Sequence, residues 1–125
     1  MLGKFDSSAI VAVADLGRAR AFYAETLELQ LSDESEEESV LVFKTGGTRL
    51  VVYRSTEAGS NRANAVVWGV GGELDAIVEA LEGKNVVFEH YPDIGVLDGN
   101  VHKAGEAKLV WLKDPDGNIL HLNNL

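Results

Sequence analysis

The chain has 125 residues and a formal charge of −9, from 11 basic and 20 acidic side chains. This length suits one domain with a hydrophobic core, and the absence of cysteine excludes disulfides, zinc–thiolate sites, iron–sulfur clusters and a thiol nucleophile. So few basic residues argue against nucleic acid, and no apolar window is long enough to span a membrane. The first residues lack the layout of a signal peptide, so we expect an acidic cytoplasmic protein without membrane or nucleic-acid partners.

The first half begins as a strand followed by a helix. Ala9–Ala14 is a short apolar run, typical of a strand buried on both faces. Asp15 is a good helix N-cap. One face of a helix of about three turns is then marked by apolar residues at helical spacing: Leu16, Ala19, Tyr23 and Leu27.

A hairpin follows the first helix. Val40–Phe43 and Arg49–Tyr53 are predicted strands on either side of Gly46-Gly47, a pair typical of a tight turn. Between the helix and this hairpin, Asp33–Glu38 carries five carboxylates in six residues, which predicts a solvated acidic loop.

The second half repeats this order. Ala65–Val70 is an apolar strand, Gly71-Gly72 turns the chain, and Gly83 stands where a helix end favours a left-handed residue. The stripe of the intervening helix has core-facing spacing: Leu74, Ile77, Val78 and Leu81. Three strands are predicted after it, with a Pro-Asp-Gly turn at Asp114–Asn118 before the last one: Val86–Tyr91, Lys108–Leu112 and Ile119–Asn123.

The two halves can be overlaid. Val13–Leu16 matches Val70–Glu73 at an offset of 57 residues, whereas Phe43 matches Leu112 at an offset of 69. The difference predicts a 12-residue insertion in the second half, near Pro92–Glu106. We therefore predict an α+β domain over residues 1–125, made of two β-α-β-β-β modules at about 5–58 and 63–125.

Two motifs resemble a known family. The first-helix signature of the vicinal oxygen chelate superfamily is similar to Val13–Leu16, Ala19, Ala21–Tyr23 and Leu27–Leu29. Its C-terminal hairpin signature resembles Asp114–Asn118 followed by Ile119–Leu122. The superfamily holds glyoxalase I, bleomycin-resistance proteins, fosfomycin-resistance enzymes and extradiol dioxygenases. The resemblance implies a curved, cup-shaped mixed sheet with helices on its outer face, and a homodimer.

The resemblance also locates the positions that bind a divalent metal in the metal-dependent relatives. Counting from the helix caps places the two first-strand positions at Ser8 and Ala65, and the two last-strand positions fall at Val51 and His121. A divalent metal needs His, carboxylate or thiolate donors. Only His121 is such a donor, so we expect no family-type metal and no cofactor.

Several side chains are candidates for binding a ligand in the cup. His121 is a hydrogen-bonding wall residue or, as the one catalytic candidate, a general base. Ser8 shares its strand face with Ile10, and Tyr53 shares its face with Val51, because strand side chains alternate. Ala65 is a further candidate, because it stands at the remaining metal position that the resemblance implies. Weaker candidates are Phe43, Arg49, His90, Tyr91, His102 and Trp111.

Some of these candidates permit other interpretations. His90, His102 and His121 could form an unorthodox metal site, although their spacing lacks a tight motif. The insertion that His90 and His102 flank is predicted to be a lid over the cup or a cover for the dimer interface. Trp68 is predicted to lie on the opposite face from Ala65, whereas Trp111 and Phe43 cannot be assigned a face by counting.

Three functions remain open. The leading one is a metal-free binding protein of the bleomycin-resistance type, in which a dimer sequesters a small aromatic or cationic molecule. The alternative is a metal-dependent lyase, transferase or dioxygenase of the glyoxalase type, which requires at least three competent donors. The third is a metal-free acid–base enzyme that uses His121.

Overall fold

A computed structural model describes residues 1–35 and 39–125, with only the backbone described for 33–35. The described chain forms two compact units, Met1–Asn61 and Arg62–Leu125. Each unit has its own mixed sheet and one α-helix, which confirms the α+β class. Among the described helices, none is long and apolar enough to cross a membrane.

The N-terminal unit contains a four-stranded sheet with the order β1-β4-β3-β2. Strand β1 runs parallel to β4, and the other neighbours are antiparallel. A 3-10 turn at Leu2–Lys4 precedes the sheet. The remaining elements are β1 (Ala9–Val13), α1 (Leu16–Ala21, continued as a π-helix over Phe22–Thr26), β2 (Gln30–Ser35), β3 (Val40–Thr45) and β4 (Thr48–Arg54).

Helix α1 begins where the sequence predicts. The Asp15 carboxylate accepts a hydrogen bond from the Arg18 backbone N–H at 2.9 Å, which satisfies one free donor of the first turn. Ala19 and Tyr23 are wholly buried, and the Tyr23 ring lies 5.8 Å from that of Phe43 on β3. The helix therefore covers the Phe43 side of the sheet.

Two sequence predictions in this unit are wrong. Strand β1 is buried on one face only, because Val11 and Val13 are in the core whereas Ile10 is 61% exposed. The acidic run is also not simply a loop, since strand β2 extends through Ser35. Charged side chains are common on edge strands such as β2. Residues 36–38 of that run lie outside the described residues.

The C-terminal unit contains a six-stranded sheet with the order β5-β10-β9-β8-β7, in which β6 also pairs with β9. Strand β5 is parallel to β10, and the other pairs are antiparallel. Its elements are β5 (Asn64–Gly69), a 3-10 turn (Gly71–Glu73), α2 (Leu74–Gly83), β6 (Phe88–Glu89), β7 (Val96–Asp98), β8 (Val101–Ala104), β9 (Ala107–Lys113) and β10 (Ile119–Asn123).

The insertion differs from the predicted one in position and form. Glu89 pairs with Trp111, and His102 pairs with Leu109. From the first pair to the second, the chain advances by 13 residues while β9 advances by two, so 11 residues are extra. Strands β6 and β8 are thus two parts of one interrupted strand beside β9, and the insertion comprises residues 90–100 rather than Pro92–Glu106. It adds β7 to the sheet, which the sequence did not predict.

The local turns of this unit have clear causes. Helix α2 ends with Asn85 in the left-handed conformation (φ 63°), so the prediction that Gly83 takes this role is wrong. The turn before β10 is confirmed, with Gly117 at φ 85°. The core of the unit comes from the helix stripe and one face of the sheet, with buried Leu74, Val78, Leu81, Phe88, Val110, Leu112, Leu120 and Leu122.

Candidate functional site

The sheet of the N-terminal unit has an open face on the side away from α1. The register places Ile10 beside Val51 and Val51 beside Val42, and paired residues share a face. We call this surface the N-terminal open face; its members are Ile10, Ala12, Val40, Val42, Lys44, Arg49, Val51 and Tyr53. Its apolar side chains are half-buried or exposed, so this surface is accessible to a small molecule.

Two candidates lie at one end of this sheet, and a third lies on its helix-covered face. Ser8 is exposed and directly precedes β1, and Arg49 is exposed at the hairpin end, where its Nη1 donates to the Thr48 carbonyl at 2.9 Å. Phe43 is 0% exposed and packs against Tyr23 beneath the helix. Phe43 cannot reach the open face, so we do not propose it as a ligand-binding residue.

The sheet of the C-terminal unit also has a face opposite its buried leucines. His121 pairs with Val67 on one side and with Trp111 on the other, and Glu89 pairs with Trp111. Trp68 instead pairs with Leu122 on the buried face, and Ala65 is the extra residue of a β-bulge between the pairs of Ile119 and Leu120. The strand register adds Leu109 and His102 to the face that carries His121. We call this surface the C-terminal open face; its members are Val67, Glu89, His102, Leu109, Trp111 and His121.

Five rings form a cluster on the C-terminal open face: His90, Tyr91, His102, Trp111 and His121. The His121 ring stacks on Trp111 at 4.7 Å and 20°, whereas Tyr91 and His102 meet the Trp111 ring edge-on at 5.1 and 5.0 Å. Trp111 is only 6% exposed as a result. The structure therefore brings together five candidates that the sequence could only name separately.

Both ring nitrogens of His121 are engaged within its own unit. Nδ1 lies 3.0 Å from the Val110 carbonyl oxygen, and Nε2 lies 3.3 Å from the side-chain nitrogen of Asn123. Because the carbonyl must accept and the amide must donate, Nδ1 carries the proton and Nε2 accepts. A substrate that used Nε2 as a base would compete with Asn123, a partner that the sequence analysis did not identify.

His102 holds the start of the insertion in place by a hydrogen bond and by packing. The ring is 1% exposed, and its Nε2 accepts a hydrogen bond from the Tyr91 backbone N–H at 2.9 Å. Its proton must then lie on Nδ1, which is buried without a hydrogen-bond partner among the described residues. Such a donor costs free energy, so His102 contributes through packing and through the Tyr91 bond rather than through full hydrogen bonding.

The two ends of the insertion are joined by side chains. His90 Nε2 lies 2.8 Å from Asn100 Oδ1, and the Asn100 side-chain nitrogen donates to Glu82 of α2 at 3.3 Å. Within the insertion β7 pairs with β8, which follows Asn100, and an Asp98–Lys103 ion pair of 2.6 Å joins the two strands. The insertion is thus a bonded extension of the sheet, and its predicted role as a lid or an interface cover stays a prediction.

Ion pairs at the exposed rim shift the pKa of three groups. The hydrogen bond from Lys103 lowers the pKa of Asp98, and the same contact raises the pKa of Lys103. On the other side, Glu89 lies 3.0 Å from Lys113 and raises the pKa of Lys113. These exposed pairs keep the rim charged at neutral pH and contribute little to stability.

The residues present do not fit a family-type metal. Ser8, Ala65 and Val51 occupy three of the four expected positions, and two of these have no donor atom in the side chain. Among the described side chains, no three His, Asp or Glu residues come together as ligands. The unorthodox site from His90, His102 and His121 is not formed, because His121 lies against Trp111 and His90 bonds to Asn100.

Substitution of His102 by phenylalanine tests whether its hydrogen bond to the Tyr91 N–H holds the start of the insertion in place. The variant keeps a buried ring but removes the acceptor of the Tyr91 N–H, so we expect a loss of about 1–2 kcal/mol in unfolding free energy. The Tyr91 amide should exchange with solvent faster, measured by NMR hydrogen exchange. His90→Phe, at an exposed position, is the control and should change stability by less than about 0.5 kcal/mol. Unchanged Tyr91 exchange in His102→Phe would contradict this role.

The geometry defines a duplicated module, a sheet with one helix-covered face and one open face. The chain belongs to the Glyoxalase/Bleomycin resistance protein/Dioxygenase superfamily, which its sequence matches over residues 5–122. This match confirms the resemblance found in the sequence motifs. A search of curated proteins finds no match to this chain.

Solved structures of other members share the fold. The lactoylglutathione lyase from Agrobacterium tumefaciens is 17% identical, with 98% of this chain and 95% of that chain covered and a TM-score of 0.75. The fosfomycin resistance protein FosX from Listeria monocytogenes (monoclinic form) is 15% identical, with 99% and 93% covered and a TM-score of 0.76. An integron cassette protein from the Halifax Harbour sewage outfall metagenome is 21% identical, with 98% and 99% covered and a TM-score of 0.73. At these identities the likeness concerns the fold alone.

Proposed function

We propose that the chain is a small-molecule binding protein of this superfamily that holds its ligand against an open sheet face without a family-type metal. The observation that carries the proposal is the replacement of ligating side chains by apolar ones. Val51 and Ala65 stand at two of the metal positions, and the single strong donor, His121, has both ring nitrogens engaged by Val110 and Asn123. Binding requires only affinity, which an apolar surface with few polar groups supplies.

Aromatic character in the ligand is supported by the rings on these faces. Tyr91, His121 and Tyr53 are half-buried, so their rings stay partly accessible for stacking. A cationic ligand was expected only from the net charge. Since the charged side chains on the N-terminal open face are Lys44 and Arg49, we do not extend the cationic preference to this face.

We also propose a homodimer. Ile10 and Val67, at matching positions of the two modules, are 61% and 60% exposed. Ile10 lies on β1 and Val67 on β5, the edge strands of their sheets, and aliphatic side chains this open favour burial by a ligand or by a second copy of the chain. Sedimentation equilibrium distinguishes a dimer from a monomer, and a monomer at all concentrations would remove this part of the proposal.

Each of the two competing functions can be tested by a specific experiment. A glyoxalase-type metalloenzyme requires stoichiometric Zn, Ni, Mn or Fe in protein purified without chelator, and loss of that metal in His121→Ala. Acid–base catalysis by His121 requires a turnover with a pH profile near neutrality that His121→Ala abolishes. Either result would replace the binding-protein proposal.

The binding function itself is tested with the neutral dye Nile red. We expect the protein to raise its fluorescence saturably, and Ile10→Asp to weaken binding at least about tenfold because a carboxylate would be desolvated beneath the dye. Val87→Asp is the matched control, since Val87 is 79% exposed but lies outside both open faces. Absence of saturable binding, or equal losses in the two variants, would contradict the proposal.

A further inference from the structure

Two positive side chains face each other at one end of the N-terminal open face. Lys44 on β3 and Arg49 on β4 are direct cross-strand partners, and both are exposed. Neither forms an ion pair within the described parts of the chain. Arg49 uses Nη1 to donate to the Thr48 carbonyl, which leaves the other guanidinium donors available.

This pair contradicts the usual rule for a sheet. Like charges directly opposite one another on neighbouring strands destabilise the pairing. The chain carries 20 acidic side chains and 11 basic ones, so carboxylates are in excess, yet none of the described ones compensates these two cations. A local conflict of this kind is expected where function requires it.

Polar donors continue the row on both sides of the pair. Gln30 on β2 pairs with Lys44 and is exposed. Ser8 directly precedes Ala9, which pairs with Leu50, so Ser8 lies at the Arg49 end of the sheet and shares the strand parity of Ile10. An amide, an ammonium and a guanidinium therefore stand along one edge of the open face, and Ser8 follows at its Arg49 end.

The rows behind this edge are apolar. Ile10, Val51 and Val42 form the next row across the three strands. Tyr53 lies one row further, four residues from Arg49, which is about 13 Å along the strand. The face is thus amphipathic along the strand direction, with cations at one end and a phenol at the other.

We propose that this end of the N-terminal open face binds the anionic head group of a small amphiphile, a carboxylate or a phosphonate, whose apolar part lies on Ile10, Val51 and Val42. The inference rests on the proposed binding function and specifies its ligand class. A guanidinium pairs with either anion through two parallel hydrogen bonds, and the lysine adds a second charge. Bound anion removes the repulsion between Lys44 and Arg49, so ligand and fold stabilise each other.

Eight-carbon probes that differ only in the head group test the charge preference. Octanoate and octylphosphonate carry the anion, 1-octanol is neutral, and octylammonium is cationic. We expect both anions to bind at least about tenfold more tightly than 1-octanol, octylammonium to be weakest, and NMR shifts to map to residues 42–51. At 1 M NaCl the advantage of the anions should largely disappear.

Charge-neutral variants locate the head group. Arg49→Gln and Lys44→Gln should each remove about fivefold or more of the octanoate affinity, and the double variant should bind octanoate no better than 1-octanol. Arg54→Gln is the matched control, because Arg54 is on the same strand at its other end and with opposite parity. Without ligand, Lys44→Gln should raise the melting temperature, since a like-charge pair is removed.

Several outcomes would overturn the inference. They are octanol or octylammonium binding as well as octanoate, an Arg54→Gln loss equal to that of Arg49→Gln, or a lower melting temperature in Lys44→Gln. If these occur while Nile red still binds and Ile10→Asp still weakens it, the anion assignment fails and the binding function stands. Failure of Nile red as well would reject both.

Discussion

Replacement of Phe43 by alanine is expected to lower the free energy of unfolding by about 3–5 kcal/mol. Phe43 is 0% exposed and its ring packs 5.8 Å from that of Tyr23, so truncation removes a large buried surface and leaves a cavity that α1 and the sheet cannot close. Urea denaturation followed by circular dichroism measures the change. Phe43→Leu, which keeps most of the volume, should lose less.

The matched control lies on the other face of the same sheet. Ile10→Ala removes exposed aliphatic surface and should cost less than about 1 kcal/mol, although it weakens the binding of Nile red. Phe43→Leu should do the reverse, lowering stability with unchanged dye affinity. A Phe43→Leu variant that is fully stable but has lost dye binding would place Phe43 in the ligand site and contradict the assignment of the two faces.

The face of Phe43 illustrates what the sequence could not decide. Alternation fixes which residues of one strand share a face, and it correctly groups Val51 with Tyr53. It does not say which group faces the helix. That choice depends on the contact between Tyr23 and Phe43, which joins elements about 20 residues apart in the chain and leaves no local pattern.

The fold was predicted where hydrophobic periodicity and turn residues agree. The strand at Ile119–Asn123 and the Asp15 cap were predicted at their observed residues. Strand β2 was missed because its acidic residues mimic a loop. Strands β7 and β8 were missed because β7 is wholly exposed and β8 is short, with two buried and two exposed residues. Both are stabilised by pairing within the sheet rather than by their own pattern.

The candidate sites were only partly accessible to sequence reasoning. Arg49 was named as a weaker ligand-binding candidate, whereas Lys44 was not, because its partnership with Arg49 depends on the hairpin register. Counting outward from Gly46-Gly47 could have found this pair, since a two-residue turn fixes the register. In contrast, the contacts of Tyr91 and His102 with Trp111, and of His90 with His102, depend on where the insertion interrupts the strand beside β9. No local signal gives that position.

Replacement of Asp114 by alanine is the second substitution with a large expected effect, a loss of about 3 kcal/mol in unfolding free energy. Asp114 is 4% exposed, and one carboxylate oxygen accepts from the backbone N–H groups of Asp116 and Asn118 at 2.9 Å. The other oxygen accepts from the buried Asn118 side chain at 2.8 Å. Alanine would leave these donors without an acceptor inside the turn. Thermal and urea unfolding measure the loss.

Two further substitutions separate the turn from simple loss of charge. Asp75→Asn removes an exposed carboxylate that pairs with Lys108 at 2.8 Å and should cost no more than about 1 kcal/mol. Asp114→Asn keeps one acceptor oxygen and should fall between the two. Because the turn sets the register that stacks His121 on Trp111, the Trp111 indole NMR signal should broaden in Asp114→Ala but not in Asp75→Asn. Equal stabilities of Asp114→Ala and Asp75→Asn would mean that β9 and β10 hold this register without the carboxylate, through their strand pairing alone.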